Sequence, residues 1–106
     1  MNTISKISVI FFLISATILS QPQWQQLNSA TQSYLYDLHF VSETTGWAVG
    51  QEGTILKTSN GGNSWIQQNS GTATNLRSVF FLNDQLGWIG GQNGIIIKTT
   101  NGGDHW

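Results

Sequence analysis

The sequence KTSNGGNSW at residues 57–65 returns 41 residues later as KTTNGGDHW at residues 98–106. The same offset separates Trp24 from Trp65 and Trp65 from Trp106, and over one full period the two copies share 18 of 41 residues without an insertion. A period of about 40 residues with Gly and Trp at fixed places is typical of a propeller blade, which needs four short strands and their turns. The repeat therefore predicts an all-β protein, a β-propeller built from four-stranded antiparallel blades.

Each copy of the repeat contains short apolar segments that are predicted to be strands. In LYDLHFV the apolar side chains fall on both faces, as expected for an inner strand that is covered on both sides. We expect a first full blade over residues 35–68 and a second, incomplete blade over residues 76–106. The predicted strands are LYDLHFV (35–41), GWAVG (46–50), TILKT (54–58) and SWIQQ (64–68) in the first copy, and LRSVFFL (76–82), GWIGG (87–91), IIIKT (95–99) and the start of a fourth at HW in the second.

The repeated turn lies between the third and fourth predicted strands of each copy. Asn and Gly both tolerate positive φ, so the Asn-Gly pairs at 60–61 and 101–102 are expected to close a hairpin whose twist suits the flanking strands. Trp65 and Trp106 follow the turn, and we expect their indole rings to lie between neighbouring sheets. Burying one such ring stabilises the fold by about 3–5 kcal/mol.

Residues 1–20 have the pattern of a secretory signal peptide. Lys6 provides the positive n-region, an apolar stretch of 13 residues follows, and the small Ser20 precedes the expected cleavage site. The apolar stretch is shorter than the roughly 20 residues of a spanning helix, which disfavours the alternative of a membrane anchor. We expect an exported protein (periplasmic, cell-surface or secreted) that meets the membrane only through its signal peptide during export. Its mature part is then a partial propeller over residues 21–106.

The repeat leaves the propeller incomplete. Trp24 opens a fourth strand with no first three strands before it, and Trp106 opens another. Propellers close with about 4–8 blades, and repeat units bury their apolar faces only against neighbours. We therefore expect the chain to be the N-terminal fragment of a longer protein, in which the strand at Trp24 completes the last blade. Residues 21–106 alone are expected to be poorly soluble or loosely folded.

The composition excludes several classes of function. Only 8% of the residues are charged, the formal net charge is -1, and the 4 Lys and Arg residues provide no basic surface for nucleic acid. The chain has no Cys, which excludes disulfides, thiolate zinc sites and a cysteine nucleophile. The sequence also carries no metal-ligand motif and no phosphate-binding glycine loop, so it predicts neither a metal nor a cofactor.

The turn resembles the Asp-box, or BNR repeat, whose pattern is Ser/Thr-x-Asp-x-Gly-x-Thr-Trp. Asn stands at the Asp position in both copies, and His105 replaces the second hydroxyl residue in the second copy. With the Gly-Trp and Lys-Thr motifs, the repeat is most similar to the photosystem II stability and assembly factor family. That resemblance implies a seven-bladed propeller, a non-catalytic scaffold for protein partners and, by the family name, a link to photosynthesis. The matching residues, which are expected to be structural, are Thr58, Asn60, Gly62, Ser64, Trp65, Thr99, Asn101, Gly103 and Trp106.

An enzyme is the main alternative, because Asp-boxes also occur in sialidases and other glycoside hydrolases. Glycoside hydrolysis generally needs two carboxyl groups at a defined separation. The resemblance to sialidases further implies a cluster of Arg, whereas this chain has a single one. We therefore predict no catalytic residues; an adhesion module of the cell surface is a third interpretation. The acidic residues, mostly in predicted turns, are Asp37, Glu43, Glu52, Asp84 and Asp104.

Two positions on the first predicted strands are candidates for binding. Tyr36 aligns with Arg77, so the two copies differ there in chemistry. The first strand of a blade lines the central channel of a propeller, and channel mouths are common binding sites. The alternative is that both side chains are half exposed at the start of their strands. His39 aligns with Phe80 and is expected to be packed or exposed rather than catalytic.

Overall fold

The computed structural model describes residues 24–106, and the expected signal peptide lies outside this range. The described residues form two antiparallel sheets without an α-helix, which confirms the predicted all-β class. The first sheet has the order β1-β2-β3-β4 and the second has the order β5-β6-β7. The strands are β1 Leu35–Phe40, β2 Gly46–Gly50, β3 Ile55–Thr58, β4 Ile66–Gln68, β5 Leu76–Phe81, β6 Gly87–Gly91 and β7 Ile96–Thr99.

The second strand of each sheet is flanked on both sides and supplies much of its core. All five residues of β2 are buried, and Trp47 lies opposite His39 of β1 and Lys57 of β3. Gly46 precedes this Trp because the ring of Phe40 lies over the strand there; a Cβ at Gly46 would come within 2.7 Å of that ring. In the Gly-Trp dipeptide, the Gly thus allows the Phe40 ring to lie close to the backbone, and the Trp buries its own ring.

The two sheets stack face to face, and aromatic rings fill the junction between them. The ring of Trp47 stacks on the ring of Phe81 with 3.5 Å between centroids and 6° between planes. Its indole N–H also donates a hydrogen bond of 3.2 Å to the backbone oxygen of Gly102 in the second sheet's turn. The junction core consists of Trp47, Val49, Ile55, Leu76, Val79, Phe81 and Ile89, with Val41, Ile95, Ile97 and Trp106 packed at its border.

The two Trp residues of the Asp-boxes differ in whether a described sheet lies against them. Trp65 is half-buried and meets Phe40 of its own sheet edge to face, with 6.0 Å between centroids, so it does not lie between the two described sheets. Trp106 does border the junction, where it contacts Phe81 edge to face at 5.7 Å. The fully buried indole between the sheets is that of Trp47 instead. Identical repeat positions therefore differ in burial according to whether a second sheet lies against them.

The expected hairpin between β3 and β4 is present, but its Asn does not adopt the positive φ that the sequence suggested. Seven residues separate β3 from β4, and positive φ falls on Gly61 (72°) and Gly62 (91°), whereas Asn60 is not among the residues with positive φ. The second turn repeats this pattern at residues 102 and 103. Asn60 keeps an ordinary backbone conformation because its side chain, rather than its backbone, organises the turn.

The segment before β1 carries no strand. Trp24, which was expected to open a fourth strand, is fully exposed, and residues 24–34 pair with no strand in the part of the chain described. Among residues 24–106, no helix is long and apolar enough to cross a membrane.

Candidate binding site on the innermost strands

The register of the first sheet shifts by one residue at Tyr36. The residues on either side of Tyr36 pair with Gly50 and Val49, which are consecutive in β2, so Tyr36 itself has no partner there. The same shift leaves Arg77 unpaired in the second sheet. A bulge of this kind takes the extra residue out of the ladder and redirects its side chain. The repeat thus places one redirected side chain at the same point of β1 and of β5.

The two redirected side chains contact each other across the sheets. The guanidinium carbon of Arg77 lies 4.3 Å from the centroid of the Tyr36 ring, and both residues are exposed. An exposed contact of a cation with an aromatic face contributes about 0.5–1 kcal/mol. A guanidinium stacked in this way keeps its N–H edge available for a carboxylate or a carbonyl oxygen. The sequence-predicted pair is therefore brought together as an exposed aromatic–cationic contact.

Asp37 fixes the relative position of the two strands that carry this pair. One carboxylate oxygen accepts the N–H of Leu38 at 2.8 Å, and the other accepts the N–H of Val79 on β5 at 2.9 Å. Charge-assisted hydrogen bonds of this type are stronger than neutral ones, so the bond to Val79 resists sliding of β1 against β5. Sequence reasoning missed this role because the partner is a backbone N–H, which leaves no mark in the sequence.

Aromatic side chains extend the surface beside the pair. The ring of His39 contacts Phe80 edge to face, with 5.1 Å between centroids, and Phe80 is stacked near Trp88 at 6.3 Å. Phe80 remains 53% exposed. His39 is thus a packed residue at the border of an exposed aromatic surface.

An open groove of about 560 Å³ runs along the outer side of β1. Its lining includes Tyr36, Leu38, Ala48 and Trp65, together with Leu27 of the segment before β1. Most of its lining is apolar. The groove continues the surface of the aromatic–cationic pair and offers room for an extended peptide or a second protein surface.

The side chains of the first Asp-box bind their own turn. The hydroxyl of Thr58 accepts the N–H of Gly62 at 2.9 Å and donates to the Asn60 side-chain oxygen at 2.9 Å. That oxygen also accepts the N–H of Ser64 at 3.0 Å, and the Trp65 indole N–H donates to the Gly62 oxygen at 3.1 Å. These polar groups form hydrogen bonds within the turn, so they stabilise its conformation.

The second box repeats most of these hydrogen bonds, with two changes. Thr99 accepts the N–H of Gly103 at 2.9 Å, and Asn101 accepts the N–H of His105 at 2.9 Å. The side-chain nitrogen of Asn101 lies 3.3 Å from the Nδ1 of His105, in the place where the first box has a serine hydroxyl. The indole N–H of Trp106 is buried and has no acceptor among the described residues. His105 is thereby part of the turn.

The acidic residues are dispersed over the described part of the chain. Asp37 is engaged with two backbone N–H groups, and the other four acids are exposed in turns or loops. Within residues 24–106 no group of three or more His, Cys, Asp or Glu is arranged to hold a metal ion.

Comparison with protein families gives one clear match. The family model described as photosynthesis system II assembly factor YCF48 matches residues 16–106. No curated protein matches the chain.

Solved structures agree with this family model. One is YCF48 bound to D1 peptide, which superposes with a TM-score of 0.72 at 29% sequence identity over 82% of this chain. Another is YCF48 from Cyanidioschyzon merolae, with a TM-score of 0.68 at 27% identity over 80% of this chain. In each case the aligned part is 29% of the solved protein, so this chain spans less than a third of the length of these relatives.

Proposed function

Because this chain belongs to the family of the photosystem II assembly factor YCF48, we propose that it is an exported, non-catalytic propeller module that binds a protein partner. The observation that carries the proposal is the exposed contact of Tyr36 with Arg77 on the innermost strands, beside an apolar groove. A guanidinium edge, an aromatic face and an open groove suit an extended peptide, which offers carbonyl oxygens, carboxylates and apolar side chains together. The solved relative bound to D1 peptide supports a peptide as the class of ligand.

We propose that the chain is not a catalyst because of the positions and hydrogen bonds of its acidic residues. A glycosidase needs one carboxyl group as acid and a second as base or nucleophile, both free to face the substrate. Both oxygens of Asp37 already accept backbone N–H groups in the strands, so this carboxylate holds structure. The exposed acids, such as Glu43 and Glu52, lie in separate loops. These observations favour a binding module over the glycoside hydrolase alternative.

Export is proposed from the sequence of residues 1–20, with the mature N-terminus at Gln21. We also propose, from the family name alone, that this chain has a link to photosynthesis. The protein for the binding experiment is therefore recovered from the export compartment of the producing cell. A chain that stays inside the cell with its N-terminal residues intact contradicts the export part of the proposal.

The binding part is tested with Arg77→Gln and the matched control Lys98→Gln. Both residues are cations over an aromatic ring, but Lys98 lies over Trp88 at 5.9 Å, on the outer strand β7. The probes are a fluorescently labelled D1 peptide and a displayed library of random peptides. We expect a selected peptide to bind about tenfold or more weakly to Arg77→Gln than to the unchanged chain, because a central Arg contact is often worth more than 1.4 kcal/mol.

The control variant should bind that peptide as the unchanged chain does. Equal weakening in Arg77→Gln and Lys98→Gln would mean that overall charge, rather than the Tyr36–Arg77 site, governs binding. If neither probe yields a binding peptide, the proposed function fails.

A further inference from the structure

The chain contains three Asn-Gly pairs, at residues 60–61, 93–94 and 101–102. Asn is a chemically labile residue, because the backbone nitrogen of the next residue can attack its side-chain carbonyl carbon and displace the amide as ammonia. A following Gly favours this attack, since it has no Cβ to obstruct the approach. The sequence alone therefore predicts similar rates of deamidation at the three pairs, and the structure distinguishes them.

The Asn-Gly pair of the first Asp-box is restrained at both reacting groups. The side-chain oxygen of Asn60 accepts the Thr58 hydroxyl at 2.9 Å and the Ser64 N–H at 3.0 Å, and its side-chain nitrogen donates to the Ser64 hydroxyl at 2.8 Å. The attacking group would be the N–H of Gly61, which donates to the backbone oxygen of Thr44 at 2.9 Å. Because Asn60 is exposed, these hydrogen bonds rather than burial hold it away from the reaction.

The pair of the second Asp-box is restrained in the same way. The side-chain oxygen of Asn101 accepts the Thr99 hydroxyl and the His105 N–H, each at 2.9 Å. The N–H of Gly102 donates to the backbone oxygen of Gln85 at 2.9 Å. In both boxes the reaction therefore requires that several hydrogen bonds break first.

The third pair lies in the short turn Gln92–Gly94 between β6 and β7. Asn93 is exposed at the middle of this turn, with a φ of 60°. Among residues 24–106, the side-chain hydrogen bond of the turn is that of Gln92, whose oxygen accepts the Asn75 side-chain N–H at 3.0 Å, and no hydrogen bond holds the side chain of Asn93. This side chain is therefore able to turn towards the backbone nitrogen of Gly94.

The exposure of Asn93 is a property of the turn, as the first copy of the repeat shows. Glu52 is the repeat equivalent of Asn93 and has a similar φ of 57°. Its side chain is exposed even though the connection to β5 packs against the neighbouring Gly53. The turn thus directs its middle side chain into solvent in both copies, and it accommodates an acidic residue there in the first.

We propose that Asn93 is a modification site at which the folded chain deamidates spontaneously. The backbone nitrogen of Gly94 loses its proton and forms a bond to the side-chain carbonyl carbon of Asn93. The bond from that carbon to the amide nitrogen breaks, and the nitrogen leaves as ammonia with the proton. A water molecule then opens the cyclic imide at either of its carbonyl groups, which gives aspartate or isoaspartate.

The reaction consumes one water and releases one ammonia, and its product adds a negative charge to a chain whose formal net charge is -1. The aspartate form gives the second copy an acid where the first copy has Glu52. The isoaspartate form instead passes the backbone through the former side chain, which lengthens the turn and disturbs its geometry.

The proposal is tested by incubating the full chain in mildly alkaline buffer and digesting it with trypsin. Cleavage after Lys57, Arg77 and Lys98 places the three Asn-Gly pairs in separate peptides, residues 58–77, 78–98 and 99–106. We expect mass spectrometry to show that Asn93 deamidates at least about tenfold faster than the Asn of either box, because each hydrogen bond that must break lowers the reactive population severalfold. In concentrated urea the three rates should converge. Equal rates in the folded chain, or a faster rate in either box, overturn the proposal.

The matched variant Glu52→Asn creates an Asn-Gly pair in the equivalent turn of the first copy. We expect it to deamidate at residue 52 within severalfold of the rate at Asn93, because the two turns share their backbone conformation. A rate at residue 52 as slow as that at Asn60 would contradict the claim that the turn itself permits the reaction.

Two further variants test the assignment and the protection. Asn93→Gln should leave the peptide 78–98 unmodified, and continued deamidation of that peptide would place the reaction at Asn83 and overturn the proposal. Thr58→Val removes a hydrogen bond from Asn60 and should raise its rate severalfold, while the rate at Asn101 stays the same. An unchanged rate at Asn60 would contradict the protection by hydrogen bonds from which Asn93 is singled out.

Discussion

Thr58 illustrates how one hydroxyl group organises a turn of seven residues. It is 1% exposed at the end of β3, accepts the N–H groups of Gly62 and Asn60, and donates to the Asn60 side chain. The two glycines of the turn adopt positive φ, which L side chains adopt only at a cost, so the Thr and the Gly-Gly pair are required together. Repetition of the set at Thr99 shows that this chemistry is local to each blade.

At this scale we predict that Thr58→Val lowers the free energy of unfolding by about 1–3 kcal/mol. Val preserves the shape of Thr but cannot accept the buried N–H of Gly62, and an unsatisfied buried donor costs this amount. Ser64→Ala is the matched control, because the Ser64 hydroxyl bonds to Asn60 in an exposed part of the same turn. Urea unfolding of the two variants measures the difference. Equal losses in both would show that the Thr58 hydroxyl has no special role.

At the scale of elements, the connection between the sheets sets how closely they approach. Gly53 follows β2 with a φ of 73°, and a Cβ there would collide with the backbone oxygen of Thr72 in the connection to β5. Its repeat equivalent Gly94 has a φ of 74° and no atom within 4 Å of such a Cβ. The backbone is the same at both places, and only the neighbouring connection differs.

Comparing Gly53→Ala with Gly94→Ala therefore separates two costs of the added Cβ: the collision with the neighbouring connection, and the strain of the left-handed backbone. Both place a Cβ on a left-handed residue, which costs about 1–2 kcal/mol. Gly53→Ala adds overpacking against a backbone that cannot move freely, for about 1–3 kcal/mol more. Thermal unfolding followed by tryptophan fluorescence should show the larger drop in midpoint for Gly53→Ala. If the Gly94→Ala variant is equally destabilised, the connection at Thr72 is not packed as described.

The sequence predicted the elements well because each repeat encodes its strands locally. GWAVG and GWIGG are strands over the residues predicted, and their pairing in chain order follows from the short connections. The register shift that redirects Tyr36 was not predicted, because its trace, the three-residue spacing of Leu35 and Leu38 on one face, was interpreted as apolar residues on both faces of a regular strand. The sequence therefore predicted that Tyr36 and Arg77 occupy equivalent positions, but not that their side chains are in contact.

Other features escaped prediction because they depend on what lies beside the repeat. Trp47 and Trp88 have the same Gly-Trp motif, yet the first is fully buried and the second is half-buried. The difference comes from the sheet stacked against Trp47, and periodicity alone does not say which copy is covered. The conformation of Asn60 was mispredicted for another reason. An Asn can occur in a turn for two reasons: it tolerates positive φ, or its side chain accepts backbone N–H groups. The second reason applies to Asn60.

At the scale of the whole molecule, apolar contacts contribute more than charge to how the two sheets associate. The formal net charge is -1, and three cations of the described residues, Lys57, Arg77 and Lys98, lie over aromatic rings. Such a surface provides little electrostatic repulsion between molecules. The stacking of the two sheets is therefore governed by apolar contacts rather than by charge.

The exposed apolar side chains of β1 should consequently limit solubility, and Leu38→Lys should raise the solubility limit severalfold. Leu38 is 55% exposed between Leu35 and Phe40, so a charge there interrupts a continuous apolar surface at little cost to the fold. Leu82→Lys is the matched control, because Leu82 is 64% exposed but follows the end of β5, away from the apolar surface of β1. Precipitation midpoints in ammonium sulfate, measured at equal protein concentration, compare the three proteins. A gain of similar size from Leu82→Lys would mean that added charge alone, rather than the interruption of the apolar surface of β1, controls solubility.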